Sequence, residues 1–180
     1  MELYETALTI ATQAHKEQVR KNDDSPYVIH PIMVARILEQ SGFDETVQAA
    51  GLVHDVLEDT TVTEAELRAQ LGDAVVDIVT AVSEDKALVW EERKQKYVEA
   101  VVAGGESVWA VSVADKIHNA RSLISFHEAV GPSAWQIFNR GKEQKVQFER
   151  LVLKSLQSIW VHPLLEIYAQ LIIELEQLEA

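Results

Sequence analysis

The 180-residue sequence has no cysteine. Disulfides, thiol nucleophiles and thiolate metal sites are therefore excluded, and any metal site must draw on histidine and carboxylate. The lack of cysteine also fits a reducing compartment. Basic residues are scarce, with Lys+Arg 16 against Asp+Glu 29 and a formal net charge of -13. So acidic a chain lacks the basic surface that binding to nucleic acid or to an anionic membrane requires. An anionic substrate would have to be met by a local basic patch or a metal. No apolar run approaches the roughly 20 residues needed to span a bilayer. The N-terminus lacks the basic stretch and uninterrupted apolar run of a signal peptide. These absences predict a cytoplasmic protein. There is also no internal repeat, glycine-rich phosphate loop, G-x-S-x-G elbow or Rossmann fingerprint.

What is present reads as one all-α domain over residues 1–180, with a motif-bearing core over about 2–158 and a final helix over about 162–178. Apolar residues at helical spacing predict a first helix from Glu2 to about Val19. A polar loop, Arg20 to Pro26, breaks it. Pro31 suits the first turn of a second helix, which ends before Gly42 and puts His30 at or near its start. Asp44 is a fair N-cap for a central helix running to Asp59, and Gly51 inside it implies close approach of another helix. Thr63 and Glu66 form a capping box that opens a short helix ending at Gly72. The valine-rich stretch after Asp73 keeps a helical pattern through Asp77 and Thr80. In the helix from Glu91 to Val102, Arg93, Lys94 and Lys96 alternate with glutamates and read as a solvated face. Ser107 to Phe126 is a largely apolar helix. Ser133 to Gln136 reads as a second capping box, opening a long helix to about Ser158 that is interrupted near Gly141. His162-Pro163 opens the last helix, whose apolar residues read as core or as a homodimer surface.

Two clusters carry chemistry. Leu52 to Thr60 reads L-V-H-D-V-L-E-D-T. On a helix, His54 and Glu58 share a face, and Asp55 meets both Glu58 and Asp59. Carboxylates this crowded repel unless a cation or proton offsets them. The second cluster, V-A-D-K-I-H-N-A-R-S from Val113, follows an almost continuous apolar run that carries Asp115 inward. Buried carboxylates are rare unless paired or metal-bound. Asn119 shares the face of Asp115. With His30, these give two imidazoles and two carboxylates, His30, His54, Asp55 and Asp115. Such a set suits Mn²⁺ or Fe²⁺, and Zn²⁺ is less expected because structural zinc usually takes cysteine. A divalent cation there would polarise a phosphoryl oxygen and lower the pKa of a water, and Glu58 and Asp59 would be placed to accept its proton.

The set H…HD…D is the pattern of the HD-domain metal-dependent phosphohydrolases. A-H-K-E-Q-V-R-K at 14–21, P-Y-V-I-H-P at 26–31, L-V-H-D-V-L-E-D-T at 52–60 and V-A-D-K-I-H-N-A-R-S-L at 113–123 resemble the hydrolase domain of the RelA/SpoT alarmone enzymes, and the stand-alone small alarmone hydrolases most of all. The resemblance implies an all-helical HD bundle with one Mn²⁺ per chain on His30, His54, Asp55 and Asp115. It implies Glu58 and Asp59 as the pair that activates water, and Arg20, Lys21 and Asn119 beside the substrate. The implied reaction removes pyrophosphate from the ribose 3′ position of ppGpp or pppGpp. The sequence departs from the family at Glu17, often glycine there, and at Trp90, where the metazoan proteins carry a lysine. Arg140 and Lys142 are candidates to replace that charge. Other readings are a phosphohydrolase for another nucleotide (the 2′-phosphate of NADPH, or a 5′-mononucleotide) and a non-catalytic metal- and nucleotide-binding module. The intact Glu58 and Asp59 argue against the last.

Overall fold

The computed structural model describes residues 2–180. In order, the helices are α1 (Leu3–Ala14), α2 (Ile29–Gln40), α3 (Glu45–Val53), α4 (Val56–Asp59), α5 (Glu64–Leu71), α6 (Asp73–Val82), α7 (Trp90–Ala103), α8 (Glu106–Val130), α9 (Gly141–Gln157) and α10 (Pro163–Gln177), with a 3-10 segment at Gly131–Ile137. Among the described residues there is no sheet, only an isolated bridge between Val19 and Pro26. The fold is the all-helical bundle expected. The long helix α8 is its axis and packs against α2, α3, α6, α7 and α10. That position explains its near-continuous apolar sequence: Val108, Ala110, Val111, Val113, Ala114 and Ile117 are all buried.

The helix starts follow local chemistry. Asp44 accepts from the backbone N–H of Val47 at the start of α3. Thr63 and Glu66 form both hydrogen bonds of the capping box that opens α5. The ring of His162 accepts from the N–H of Leu164, and Pro163 begins α10. On α10, Leu164, Leu165, Tyr168, Leu171, Ile172 and Leu175 are buried against α8 and α9. These six residues are therefore core, while Ile167 of the same stretch is exposed.

Three expected boundaries differ. Helix α1 stops at Ala14 and not near Val19, because the next residues form a hairpin-like loop. Arg20 N–H donates to Ser25 O at 2.8 Å and Tyr27 N–H to Gln18 O at 2.9 Å. Arg20 and Lys21 lie in that loop, as the sequence indicates. The central helix is broken into α3 and α4 at His54 and Asp55, where the Nδ1–H of His54 donates to the Gly51 carbonyl at 2.8 Å. The ring takes the acceptor that the next turn of backbone would have used. Finally, no capping box forms at Ser133. Its hydroxyl donates to Val130 O at 2.8 Å, and α9 begins only at Gly141, whose φ is 70°.

Gly51 fulfils the expectation of close helix approach. A Cβ there would lie 2.6 Å from Leu38 Cδ1 and 3.4 Å from Val34 Cγ1, both on α2. Leu38 and Val34 are fully buried, so a larger side chain has nowhere to go. Gly51→Val should destabilise the fold by about 1–3 kcal/mol through overpacking. Chemical denaturation of the two proteins would measure it, and equal midpoints would contradict the contact.

Candidate active site

The α2–α3 contact at Gly51 sets two histidines against each other. His30, in the first turn of α2, and His54, at the end of α3, bring their Nε2 atoms to 3.2 Å. Helix α8 supplies Asp115, whose Oδ1 lies 3.1 Å from His30 Nε2 and 3.6 Å from His54 Nε2. Asp55 completes the group, its Oδ2 3.1 Å from His54 Nε2 and 3.4 Å from His30 Nε2. The liganding atoms of His30, His54 and Asp115 all lie within 4.8 Å of one another. This buried His/His/Asp cluster can coordinate a divalent metal. Burial opposes charge on His54, but the Asp55 charge and hydrogen bonds with Asp115 and Asp55 outweigh it and hold the imidazole protonated well above its usual range. Burial likewise opposes charge on Asp115, but hydrogen bonds with His30 and His54 and the Lys116 charge hold it well below the usual carboxylate range. A divalent cation held by the same donors would offset the aspartates' charge as that proton does.

Around this centre stand groups that orient it. Tyr27 donates its hydroxyl to Asp55 Oδ2 at 2.7 Å and reaches Asp59 Oδ2 at 3.4 Å. Burial, together with the charges of Asp55 and Asp59, keeps that phenol strongly protonated. Gln18 donates to the carbonyl of Asp59 at 2.8 Å and meets His15 Nδ1 at 2.7 Å. Asn119 donates to Asp115 Oδ1 at 2.5 Å and accepts from Arg20 Nη2 at 3.3 Å. Glu58 accepts from the Glu84 backbone N–H at 3.1 Å and lines the same cavity as the cluster. Burial raises its carboxyl pKa, and the Asp55 and Glu84 charges add to that against the Glu84 hydrogen bond. Lys86 pairs with Asp59 and lies 3.6 Å from Glu58.

The cluster opens into a cavity of about 570 Å³. A second cavity of about 600 Å³ adjoins it through shared walls at Lys21, Tyr27, Asp59, Asn119, Ile137, Phe138 and Lys145. Arg20 and Lys21 both line this second space, with Lys21 also bordering the first. Arg140 lines the first cavity but stacks on Trp90, its Cζ 4.7 Å from the ring centroid, and pairs with Glu91 at 2.6 Å. Lys142 does not join them. Its ammonium caps the end of α10, on the carbonyls of Glu176 and Leu178, and it lines neither cavity.

Sequence reasoning missed the basic residues that line the cavity with the metal cluster. Arg93 and Lys94, expected on a solvated face, line the cavity and pair with Glu84; only Lys96 of that trio is exposed, beside Glu92. Lys116, on α8, lies 4.6 Å from the Tyr97 ring centroid, and Lys145, on α9, pairs with the buried Glu149. Burial lowers the Lys94 pKa, and the Lys116 and Lys145 charges lower it further against the pull of Glu84. The signal was faint: Lys94, Lys116 and Lys145 are far apart in sequence, and only the packing of α7, α8 and α9 brings them together.

Comparison with known proteins agrees with this geometry. A protein-family model described as an HD domain matches residues 7–138. The chain belongs to the HD-domain metal-dependent phosphohydrolases and is related to the MESH1/SpoT-type small alarmone hydrolases. It is 37% identical over 144 residues to guanosine-3′,5′-bis(diphosphate) 3′-pyrophosphohydrolase MESH1 of Xenopus tropicalis, covering 78% of this chain and 75% of that one. The human MESH1 protein is 34% identical over 154 residues, 84% of this chain and 83% of that one. Among solved structures, a metazoan orthologue of SpoT described as hydrolysing ppGpp superposes with a TM-score of 0.82 at 28% identity, covering 99% of this chain and 98% of that one. A Listeria monocytogenes protein superposes with a TM-score of 0.75 at 36% identity, over 83% of this chain and 97% of that one.

Titration calorimetry with Mn²⁺ should find about one ion bound per chain by this donor set. His54→Ala and Asp55→Ala should each abolish that binding. Affinity should also weaken as pH falls, since the proton held on His54 must leave before an ion can take its place. Full occupancy in either variant would remove that residue from the ligand set.

Proposed function

We propose that the protein hydrolyses the 3′-pyrophosphate of guanosine alarmones, converting ppGpp to GDP and pyrophosphate, with one Mn²⁺ held by His30, His54, Asp55 and Asp115. The observation that carries this reading is the polarity of the cavity. In a chain of net charge -13, a metal-capable acidic cluster shares one cavity with Arg93, Lys94, Lys116 and Lys145. Such a site suits a small molecule with negative charge at more than one place, as a nucleotide carrying phosphates at both ends of its ribose has. The two adjoining cavities lie in the size range of small-molecule sites. The similarity to MESH1 proteins over most of both chains supports the alarmone in particular.

When bound, the cation supplies Lewis acidity towards a phosphoryl oxygen and lowers the pKa of a coordinated water. The chain's own residues do the rest. Glu58, its carboxyl pKa raised by burial, takes the proton of the attacking water. Asp59, steadied by Tyr27 and Lys86, stands beside it. Attack falls on the phosphorus linked to the ribose 3′ oxygen; the bond to that oxygen breaks, and the oxygen takes up a proton to leave as the 3′ hydroxyl of GDP. Arg20 and Lys21 contact the substrate's phosphates from the loop, and the lysine wall binds its remaining charge. The apolar side of the second cavity, with Val19, Leu123, Ile137 and Phe138, suits the base.

Glu58→Gln should retain the metal and lose turnover by on the order of 10²-fold or more; wild-type rates in the metal-loaded variant would end its role as a base.

A nucleotide panel with Mn²⁺, in which phosphate and pyrophosphate are measured separately, tests the substrate. ppGpp should yield GDP and pyrophosphate, and Arg20→Ala and Lys94→Met should raise KM more than they lower kcat. Free phosphate from NADPH with ppGpp untouched would keep the chemistry and replace the substrate. Hydrolysis of a 5′-mononucleotide alone would do likewise. Inertness towards every nucleotide by the metal-loaded protein would leave a binding module.

A further inference from the structure

We propose that His118 is a positioning residue that makes His30 competent to bind metal by accepting its Nδ1 proton. This rests on the reading of His30 as a ligand. His30 directs Nε2 into the cluster, 3.1 Å from Asp115 Oδ1 and 3.2 Å from His54 Nε2. A neutral imidazole can offer a lone pair from Nε2 only if its proton sits on Nδ1. That Nδ1 lies 2.7 Å from Nδ1 of His118, reaching across from α8, with ring centroids 4.9 Å apart. Two ring nitrogens at that distance need one proton between them. His30 must therefore be the donor and His118 the acceptor, which puts the proton of His118 on its Nε2.

The two candidate histidine ligands are thus oriented by different means. His54 donates Nδ1–H to the carbonyl of Gly51, and a carbonyl oxygen can only accept. The tautomer of His54 is settled by the backbone. The partner of His30 is another imidazole, which can accept or donate. Were His118 to carry its proton on Nδ1, His30 would be forced into the opposite tautomer and its Nε2 would be closed to a cation. Neither a hydrophobic ring nor a hydrogen-bond donor at position 118 would serve. Partners of this kind typically contribute 10–100-fold to metal affinity. His118 follows Asp115 by a single helical turn on α8, so one helix supplies both a candidate ligand and the partner of another.

Two measurements test this. In the wild-type protein loaded with Zn²⁺ as a diamagnetic probe, long-range ¹H–¹⁵N spectra should show His118 protonated on Nε2 with a bare Nδ1. A proton on Nδ1 of His118 overturns the proposal. Separately, Mn²⁺ titration should show about 10–100-fold weaker binding for His118→Phe. His118→Asn, whose Oδ1 can stand where Nδ1 stood and accept the same proton, should stay within a few-fold of wild type. Equal losses in the two variants would reduce His118 to a packing role, and wild-type affinity in His118→Phe would remove it altogether. If the wild-type protein binds neither ion, it is the ligand reading of His30 that fails, whereas tight wild-type binding with an indifferent position 118 refutes this proposal alone.

Discussion

Ionisable groups buried close together must offset one another's charge. His30 and His54 are almost wholly removed from solvent, and Asp55 and Asp115 lie against them. An isolated carboxylate in such a place is costly, and a pair of them more so. The fold meets that cost with a proton on His54 and with donors from Tyr27 and Asn119. Each donor is drawn from a different part of the chain: the loop before α2 in one case, α8 in the other. The cluster therefore exists only when α2, α3 and α8 are packed, and that packing turns on the absence of a side chain at Gly51. Stability and metal binding are coupled through this contact.

The charge of the chain is distributed to the same end. Acidic residues dominate overall, yet the cavity gathers lysines and arginine along with the metal cluster, Lys116 lying 3.8 Å from Asp115. Glu84 and the buried Glu149 hold these side chains in place and only partly neutralise them. An anionic ligand is thus attracted locally by a protein whose net charge would repel it, because salt screens the distant charges more than the near ones. Burial and its fellow lysines lower the Lys94 pKa, against the pull of Glu84.

Much of this was legible in the sequence. The all-helical fold follows from apolar periodicity, and α3, α5 and α10 begin where their capping residues indicate. Gly51 marked a close approach of α3 to α2 correctly. His30, His54, Asp55 and Asp115 could be named because their residue types are conspicuous within otherwise apolar stretches. Helix continuity was misjudged at His54 because a side-chain-to-backbone hydrogen bond competes there with the helix ladder, and periodicity does not register that competition. Lys142 was misplaced because a basic residue early in a helix reads the same whether it faces a cavity or the end of another helix.

The sequence by itself determined which residues could do chemistry, and the absence of cysteine confined any metal site to nitrogen and oxygen donors. Local patterns extend over only a few residues, so they also determined most helix starts. The tertiary structure alone decided which of those residues meet. Contacts such as His30 with His118, 88 residues apart, or Arg20 with Asn119, 99 residues apart, leave no local trace. The same is true of the basic wall, whose members lie on helices that read individually as ordinary charged or buried surfaces. Side-chain direction depends on how each helix is rotated against its neighbours, and that rotation is set by packing of the whole core.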